Sequence, residues 1–297
     1  MSSKTVVIIS FLVDFLDIVL SLAAAILSGS IIMVSQVLEG ISDLISSGLL
    51  LVGVERSGQK EDRNHPFGYG REIYFWSLLA GIVMFTVTAT LSIFFGWQRF
   101  IHPEEVHNIK LAFIVLAITA GTNGYAFYLS LKRLLRNRSI MGVARIFISS
   151  SLIETKTTFI LDLMGMSASI LGIFALGFYQ ITGDFRFDGL GAILIGATLA
   201  VLAFILLIGV VDLIVGRSAS LETEAKIKAV ALSTPQVNKV LGLKTLHIGS
   251  GRLLVNLDVH LNHNLTTRQI EGLIQKIKND IKNQIPEVKH IQVELET

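Results

Sequence analysis

Residues 31–54 read IIMVSQVLEGISDLISSGLLLVGV, a stretch long and apolar enough to span a bilayer that nevertheless contains two carboxylates. Glu39 and Asp43 lie four residues apart, so a helix presents both on one face. A second polar pair, Thr158 and Asp162, has the same spacing inside another apolar stretch. An ionised group costs about 3 kcal/mol or more near the centre of a bilayer, so such pairs are typical of transport, proton relay or cation binding. Their oxygen-bearing side chains are sufficient to surround one cation.

The composition is that of a membrane protein. The 297-residue chain is 52% hydrophobic and only 16% charged, which is more apolar than a typical soluble domain. Its formal net charge of +2 is too small to indicate nucleic acid, so we expect no nucleic-acid partner. The sequence contains no cysteine, which excludes thiolate metal sites and disulfides.

Apolar segments of the right length recur along the first two thirds of the chain, each near the ~20 residues that a membrane helix needs. They are Val6–Leu27, Ile31–Val54, Ile73–Trp97, Ile109–Leu131, Glu154–Phe178 and Gly189–Val215. Between the first two, Ser28-Gly29-Ser30 leaves room only for a turn, so these helices should form an antiparallel hairpin. The sequence therefore predicts an α-helical membrane protein with a six-transmembrane-helix bundle over residues 1–217.

Basic residues concentrate in two of the connections between these segments. They are Arg56, Lys60, Arg63 and Arg71 after the second segment, and Lys132, Arg133, Arg136, Arg138 and Arg145 after the fourth. Because cytoplasmic loops of membrane proteins carry an excess of Lys and Arg, both termini are predicted to be cytoplasmic. We expect a multi-pass protein of the cell inner membrane or plasma membrane, surrounded by lipid.

Residues 218–297 predict a small cytosolic α+β domain with the order α-β-β-α-β. Its predicted elements are helix Glu222–Ser233, a turn at Pro235–Val240, strands Leu243–Ile248 and Leu253–His260, helix Thr266–Ile285 and strand His290–Leu295. The strands alternate apolar and polar residues, and the second helix has an apolar stripe at helical spacing. Thr266 and Thr267 are typical helix caps. A domain of this size has a marginal core, so dimerisation is expected.

Several short motifs occur in a characteristic order. They are Ser28-Gly29-Ser30 followed by Glu39-Gly-Ile-Ser-Asp43, the string HPFGYGRE at residues 65–72, Asp162 with Gly172 ten residues later, and Phe187-Asp188-Gly189. Together with the six spans and the C-terminal domain, this order resembles the cation diffusion facilitator family over nearly the whole chain. The resemblance implies a homodimer, not an enzyme, that moves divalent transition metals out of the cytoplasm, generally in exchange for protons.

The resemblance also implies where the metal binds. The family's transport site takes two residues from the second helix and two from the fifth, and those positions are Glu39, Asp43, Thr158 and Asp162 here. Glu39 and Thr158 replace the usual His or Asp. Because a site of oxygen ligands without nitrogen favours hard cations, the expected substrate is manganese, then iron, then zinc. No permanently bound cofactor is expected, and protons would bind to carboxylates, with Glu39 as the best candidate.

Two weaker metal sites follow from the same resemblance. Some members carry a site of one Asp and two His between the second and third helices. Asp62 and His65 fit two of its positions, but Tyr69 stands at the third and phenol is a poor metal ligand, so we expect this site to be weak or absent. In the cytosolic domain, His260 with Glu294 or Glu296 falls where other members bind metal at the dimer interface. A lone histidine on a strand is more often structural.

The buried polar residues also have structural interpretations. Lys156 is near the depth of Thr158, and a buried lysine can neutralise a carboxylate. A threonine hydroxyl often bonds only its own helix backbone. Asp14 and Asp17 in the first segment are also expected to be buried acids, and Asp14 is compatible with a cavity lining, a proton path or a hydrogen bond to a neighbouring helix.

Two other functional classes stay open at this point. A cation channel also contains buried acids, but usually as a ring of identical positions around an axis, whereas two pairs in one protomer favour an alternating-access carrier. A relative that has lost transport and serves as an assembly or partner protein is the second alternative, because the site lacks histidine.

Overall fold

The structure is a computed structural model that describes residues 3–135, 143, 147, 152–262 and 265–295, with side chains from residue 14 onward. Its long helices are α1 Ser3–Ser28, α2 Ile31–Ser57, α3 Glu72–Ile101, α4 Ile109–Leu135, α5 Ile153–Thr182 and α6 Arg186–Val215. Of the residues described with side chains, five helices, α2 to α6, are long and apolar enough to cross a membrane. The apolar α1 precedes them, so the predicted helical membrane fold is confirmed.

The short turn between α1 and α2 is formed as predicted. Gly29 adopts a φ of 66°, a left-handed conformation that glycine reaches without steric cost. A close contact at Gly40 also brings α1 and α2 together away from the turn. A Cβ built on Gly40 of α2 would lie 2.8 Å from the Ile18 side chain of α1. The two helices therefore pack as the expected antiparallel hairpin, with little space between their backbones.

A buried carboxylate of α6 caps the N-terminus of α2. Asp188 accepts hydrogen bonds from the Ser30 hydroxyl at 2.6 Å and from the backbone amides of Ile31 at 2.9 Å and Ile32 at 3.2 Å. The Arg99 guanidinium of α3 lies 3.6 Å from the same carboxylate. Free amides and the positive end of a helix dipole both favour an anion at this position. This cluster therefore joins α2, α3 and α6 at one end of the bundle.

Helix α3 is interrupted where the sequence predicts a continuous helix. Between the α-helical parts Glu72–Val83 and Thr90–Ile101, residues Met84–Ala89 form a π-helical segment. Within it, the buried Thr88 donates its hydroxyl to the Leu38 carbonyl of α2 at 3.3 Å. A π segment is a bulge in which the backbone hydrogen bonds span five residues instead of four. The pattern of apolar residues does not reveal such a bulge.

The C-terminal elements are α7 Leu221–Leu232, β1 Val237–Gly249, β2 Arg252–Leu261, α8 Thr267–Gln284 and β3 Val288–Leu295. The predicted order α-β-β-α-β is confirmed. The sheet has the order β1-β2-β3, with β2 antiparallel to β1 and parallel to β3. The predicted turn at Pro235–Val240 is wrong from Val237 onward, because β1 already begins there. Register shifts near Val237 and Val240 break the alternation there and conceal the strand from pattern analysis.

One face of this sheet is buried against α8. Leu253, Val255 and Leu257 alternate along β2 and are fully buried, as are Ile277 and Ile281 of α8. The predicted cap of α8 is also present. Thr266 and Gln269 form a reciprocal capping box at its first turn.

The chain divides into two compact units. One comprises the residues up to Val52 together with Trp76–Val210, and the other comprises Gly53–Phe75 together with the residues from Val211 onward. The connection between α2 and α3 therefore belongs to the second unit. In that unit, a Cβ built on Gly70 would lie 2.5 Å from the Ile248 carbonyl, so this close backbone contact requires glycine. The predicted domain boundary after residue 217 stays a prediction.

Candidate functional site

Glu39 and Asp43 face a small pocket between α1, α2 and α4. Its lining is dominated by polar side chains: Asp14, Asp17, Ile18, Ser21, Gln36, Glu39, Gly40, Asp43, Thr119 and Asn123. Both carboxylates of α2 therefore point to one side of the helix, as their i,i+4 spacing predicts. Thr158 and Asp162 of α5 are described but are not part of this lining.

Glu39 is the more deeply buried carboxylate of the pair, with 6% of its surface exposed. Its side chain extends to α5. A Cβ built on Gly165 would lie 3.0 Å from Glu39 Oε1 and 2.9 Å from the Asn123 side chain of α4. Because glycine has no side chain, Gly165 leaves the space that the Glu39 carboxylate occupies. No motif in the sequence marks this glycine, although its position three residues after Asp162 is a signal for the same helix face.

Asp43 has an oxygen with unused hydrogen-bonding capacity. Its Oδ1 is buried and has no hydrogen-bond partner within the described part of the chain. Buried polar atoms are nearly always paired, and an exception in a native protein usually indicates an ion or a water molecule. The arrangement around Asp43 is therefore suited to accept a cation.

Asp162 approaches this pair from α5. It is half-buried and interacts electrostatically with Arg133 of α4. It is also within electrostatic range of Glu39 and Asp43. Three of the four predicted transport-site residues, Glu39, Asp43 and Asp162, are therefore close enough to interact electrostatically.

Thr158, the fourth predicted residue, is half-buried one turn before Asp162. Its neighbour Lys156 is buried, and the Lys156 ammonium lies 5.3 Å from the centre of the Phe147 ring. A cation–π contact thus accounts for part of the surroundings of this lysine. A role for Thr158 in metal binding stays a prediction.

The acidic side chains do not form a closed coordination shell in this conformation. Across the described residues, no three carboxylate or imidazole groups converge closely enough to hold a metal ion. Asp14 and Asp17 of α1 are nonetheless within electrostatic range of Glu39. One oxygen of Asp17 accepts a hydrogen bond from the Thr122 hydroxyl of α4 at 2.6 Å. Asp17 is thus bonded to a neighbouring helix, while the role of Asp14 stays a prediction.

A layer of hydrogen bonds fixes the helices next to the pocket, and no sequence pattern indicated it. The Ser169 hydroxyl of α5 lies 3.1 Å from Gln36 Oε1 on α2 and 3.2 Å from Thr119 Oγ1 on α4. Such side-chain bonds between helices replace the hydrophobic driving force that is absent within lipid. They set the relative position of the three helices that carry Glu39, Asn123 and Asp162.

The connection between α2 and α3 places Asp62, His65 and Tyr69 together. Asp62 accepts hydrogen bonds from the Tyr69 hydroxyl at 2.8 Å and from the His65 amide at 2.6 Å, while His65 Nδ1 lies 3.5 Å away. These hydrogen bonds, with the Tyr69 hydroxyl first, lower the pKa of Asp62 below its ordinary value. The same bond raises the pKa of Tyr69. The acceptors of Asp62 are thus used within the loop, and metal binding there stays a prediction.

The candidate site of the C-terminal domain lies on adjacent strands. His260 is on β2 and Glu294 is on β3, directly opposite Asp258 of β2. Since side chains two residues apart share a face, His260 and Asp258 lie on the same side of the sheet as Glu294. Glu294 accepts a hydrogen bond from Gln292 at 3.1 Å. The other predicted residue, Glu296, lies outside the described residues.

Comparison with known proteins places both parts of the chain. Residues 7–215 match the model of the cation efflux transmembrane domain, and residues 219–297 match that of the cation efflux protein, cytoplasmic domain. Solved structures of the MamM CTD resemble the C-terminal part. One is 16% identical, covers 26% of this chain and 95% of that chain, and has a TM-score of 0.25.

Relatives match over most of this sequence. The proton-coupled zinc antiporter SLC30A9, mitochondrial, of Homo sapiens is 25% identical over 98% of this chain and 51% of its own length. The chain thus spans about half the length of this relative. The cation-efflux pump FieF of Shewanella oneidensis is 23% identical (86% of this chain, 81% of its own), and the manganese efflux system protein MneP of Bacillus subtilis is 21% identical (85% and 82%). Since the two family models together cover most of its length, the chain belongs to the cation diffusion facilitator family of metal-cation transporters.

Proposed function

We propose that this protein exports a divalent metal cation from the cytoplasm in exchange for protons by alternating access. The transport site consists of Glu39 and Asp43 on α2 with Thr158 and Asp162 on α5. Support comes from the family and from relatives named as a proton-coupled zinc antiporter, a cation-efflux pump and a manganese efflux protein.

The observation that carries this proposal is the unpaired Oδ1 of Asp43 beside the buried Glu39. Two carboxylates on one helix face repel each other when both are ionised, and lipid offers them no compensating solvent. A divalent cation supplies the missing charge and the missing partner for the unpaired oxygen. Asp162, within electrostatic range, adds a third carboxylate from the facing helix.

The order of substrates follows from the chemistry of the ligands. Carboxylate and hydroxyl oxygens suit manganese, followed by ferrous iron, whereas zinc sites usually include nitrogen or sulfur. One relative is named for zinc and another for manganese, so the family name alone does not choose between them. The all-oxygen set of this chain favours manganese.

Coupling to protons follows from the competition between the two cations. A carboxylate binds metal only when it is ionised, so metal binding releases any proton held there. With no histidine in the site, the exchange takes place on Glu39, Asp43 and Asp162. A carrier that opens alternately to the two sides then moves protons inward as metal moves outward.

The remaining assignments are part of the same proposal. The basic connections after α2 and α4 support cytoplasmic termini, and the domain over residues 218–297 supports a homodimer. The proposed location is the cell inner or plasma membrane, although one relative is named as mitochondrial.

The test is metal-driven proton flux in proteoliposomes that contain a pH-sensitive dye, over manganese, iron and zinc. We expect each transported metal to produce a proton signal of opposite direction, with manganese most effective. Glu39→Gln keeps an oxygen ligand but cannot titrate, so it should weaken the proton signal more than it weakens metal binding. Metal flux without a proton signal points to a uniporter or a channel, and absence of any flux points to an assembly or partner protein.

A further inference from the structure

Helices α2, α4 and α5 meet beside the transport site in layers that are one helical turn apart. One layer is the hydrogen-bonded group of Gln36, Thr119 and Ser169. Residues four apart on a helix share a face, so the next layer contains Asn123 of α4 and Gly165 of α5. A Cβ built on Gly165 would lie 2.9 Å from the Asn123 side chain, which agrees with this register. Two successive turns therefore fix α4 against α5 and direct Asn123 toward α5.

Asn123 and Glu39 converge on the space that Gly165 leaves. The Cβ position of Gly165 is 2.9 Å from both Cγ and Nδ2 of Asn123, and it is 3.0 Å from Glu39 Oε1. Asn123 also lines the small pocket that Glu39 and Asp43 face. A side-chain amide of α4 therefore lies beside the carboxylates of α2, although the proposed transport site takes its ligands from α2 and α5 alone.

The size of the pocket limits what can enter it. It has room for about one water molecule. A bare divalent cation fits the same space, because its oxygen ligands lie about 2.0–2.6 Å away and are closer than the hydrogen-bond partners of a water molecule. A cation in this pocket therefore binds protein oxygens directly, and each oxygen of the lining is available as a ligand.

An amide oxygen supplies a ligand without adding charge. Among the residues with described side chains, no three carboxylate or imidazole groups converge closely enough to hold a metal ion, so a ligand of another kind is needed. Glu39 and Asp43 together match the charge of a divalent cation. Amide carbonyl oxygens are ordinary ligands of hard cations such as manganese. Rotation of the terminal amide by half a turn exchanges its oxygen and nitrogen, so Asn123 can present either atom to the pocket.

We propose that Asn123 is a further ligand of the transported cation, whose amide oxygen completes from α4 the shell formed by Glu39, Asp43 and Asp162. This inference rests on the proposed function, because the cation is the transported one. It adds a third helix to the transport site and a neutral oxygen to its ligands.

Two substitutions of similar size separate an oxygen ligand from a hydrogen-bond donor. In the purified full chain in nanodiscs, Asn123→Leu removes the oxygen and should raise the Kd for Mn²⁺, measured by EPR of the free ion, roughly 10-fold. Asn123→Asp keeps an oxygen but loses the N–H donor, so it should bind Mn²⁺ at least as tightly as wild type. The control Gly121→Leu, at an exposed position of α4 with nothing within 4 Å of its Cβ, should leave the Kd unchanged.

The result that overturns the proposal is equally specific. A wild-type Kd in Asn123→Leu shows that the side chain does not contact the cation. Equal weakening in Asn123→Leu and Asn123→Asp shows that Asn123 acts through its N–H groups on a neighbouring side chain and is not a ligand.

A direct spectroscopic readout places position 123 relative to the bound ion. Asn123→His brings an imidazole to this position, so electron spin-echo modulation from a nitrogen bound to Mn²⁺ should appear. Gly121→His is the control, because two residues along a helix turn the side chain by about 200° away from the site. Bound Mn²⁺ without nitrogen modulation in Asn123→His overturns the proposal. If this bulkier variant does not fold, the comparison of Asn123→Leu with Asn123→Asp still decides.

The variant Asp43→Asn/Asp162→Asn separates this inference from the proposed function. Its Mn²⁺ binding should be lost if the transport site is as proposed. If binding is lost there while the Asn123 variants behave like wild type, only the role of Asn123 fails. Wild-type Mn²⁺ affinity in Asp43→Asn/Asp162→Asn overturns the transport site and, with it, the role of Asn123.

Discussion

Asp43 and Asp188 are both aspartates of membrane helices, but their surroundings differ. Asp188 is fully buried and accepts the Ser30 hydroxyl and two backbone amides, with Arg99 beside it. Asp43 has a buried oxygen with no described partner and further carboxylates nearby. The comparison shows that hydrogen-bond partners distinguish an acid that stabilises a bundle from one that is available to a ligand. The predictions below test this distinction.

The largest expected effect is at the carboxylates of the proposed transport site. Asp43→Ala and Asp162→Ala each remove a charge that compensates the cation, so manganese flux in proteoliposomes should fall by more than about 100-fold. Folding should be retained, as judged by size-exclusion chromatography and thermal unfolding. Normal flux in either variant at normal expression means that the transport site has been placed wrongly.

The reverse outcome is expected at Asp188. Asp188→Ala leaves the Arg99 charge and the first amides of α2 without their acceptor, so it should lower the free energy of unfolding by about 3–5 kcal/mol. Denaturant unfolding in detergent measures this loss, with Glu105→Ala at an exposed position as the control. The folded fraction should still bind manganese with wild-type affinity. A stable protein that has lost metal affinity contradicts a structural role for Asp188.

A smaller effect should follow from filling the space at Gly165. The Cβ of Gly165→Ala would lie 2.9 Å from the Asn123 side chain and 3.0 Å from Glu39 Oε1, so these side chains must shift and transport should fall roughly 10-fold. Gly177→Ala in the same helix is the matched control, because nothing lies within 4 Å of a Cβ there. The ratio of the two manganese flux rates is the measurement. Equal rates for the two variants show that the position of Glu39 is not critical.

The smallest effect is expected in the α2–α3 connection, where Asp62 is already paired. Tyr69→Phe removes the hydrogen bond that lowers the pKa of Asp62, so this pKa should rise toward its ordinary value with transport unchanged. Because the pKa of Asp62 is lowered, its ionised carboxylate stabilises the folded loop at pH values above the ordinary pKa of an aspartate. This contribution is lost as the pH falls through the pKa of Asp62 in the folded form. NMR titration of ¹³C-labelled aspartate, assigned with Asp62→Asn, follows the shift. An unchanged Asp62 titration contradicts the described loop contacts.

The elements that follow from local pattern were predictable from the sequence. The apolar spans, the turn at Ser28-Gly29-Ser30 and the cap at Thr266 each depend on residues close together in the chain. The start of β1 at Val237 was not predictable in this way, because irregular pairing with β2 removes the alternation. The π segment of α3 was missed for a similar reason, since it alters the register without altering composition.

Within the candidate site, sequence spacing identified acids but not their partners. The pairing of Asp188 with the N-terminus of α2 joins residues 158 positions apart, so no local pattern reports it. The space at Gly165 and the buried amide of Gln36 likewise arise only when α2, α4 and α5 come together. The sequence therefore indicates which side chains are unusual, and packing determines which of them are unpaired.

The most direct test of the central claim is a cryo-EM structure of the protein in nanodiscs with saturating manganese, compared with a metal-free sample. The account predicts density for an ion within ligand distance of the carboxylates of Asp43 and Asp162, with Glu39 in the same shell and Asp188 unchanged. Density for manganese only at other positions, with Asp43 paired to a protein donor in both samples, would contradict the claim that Glu39, Asp43 and Asp162 form the transport site.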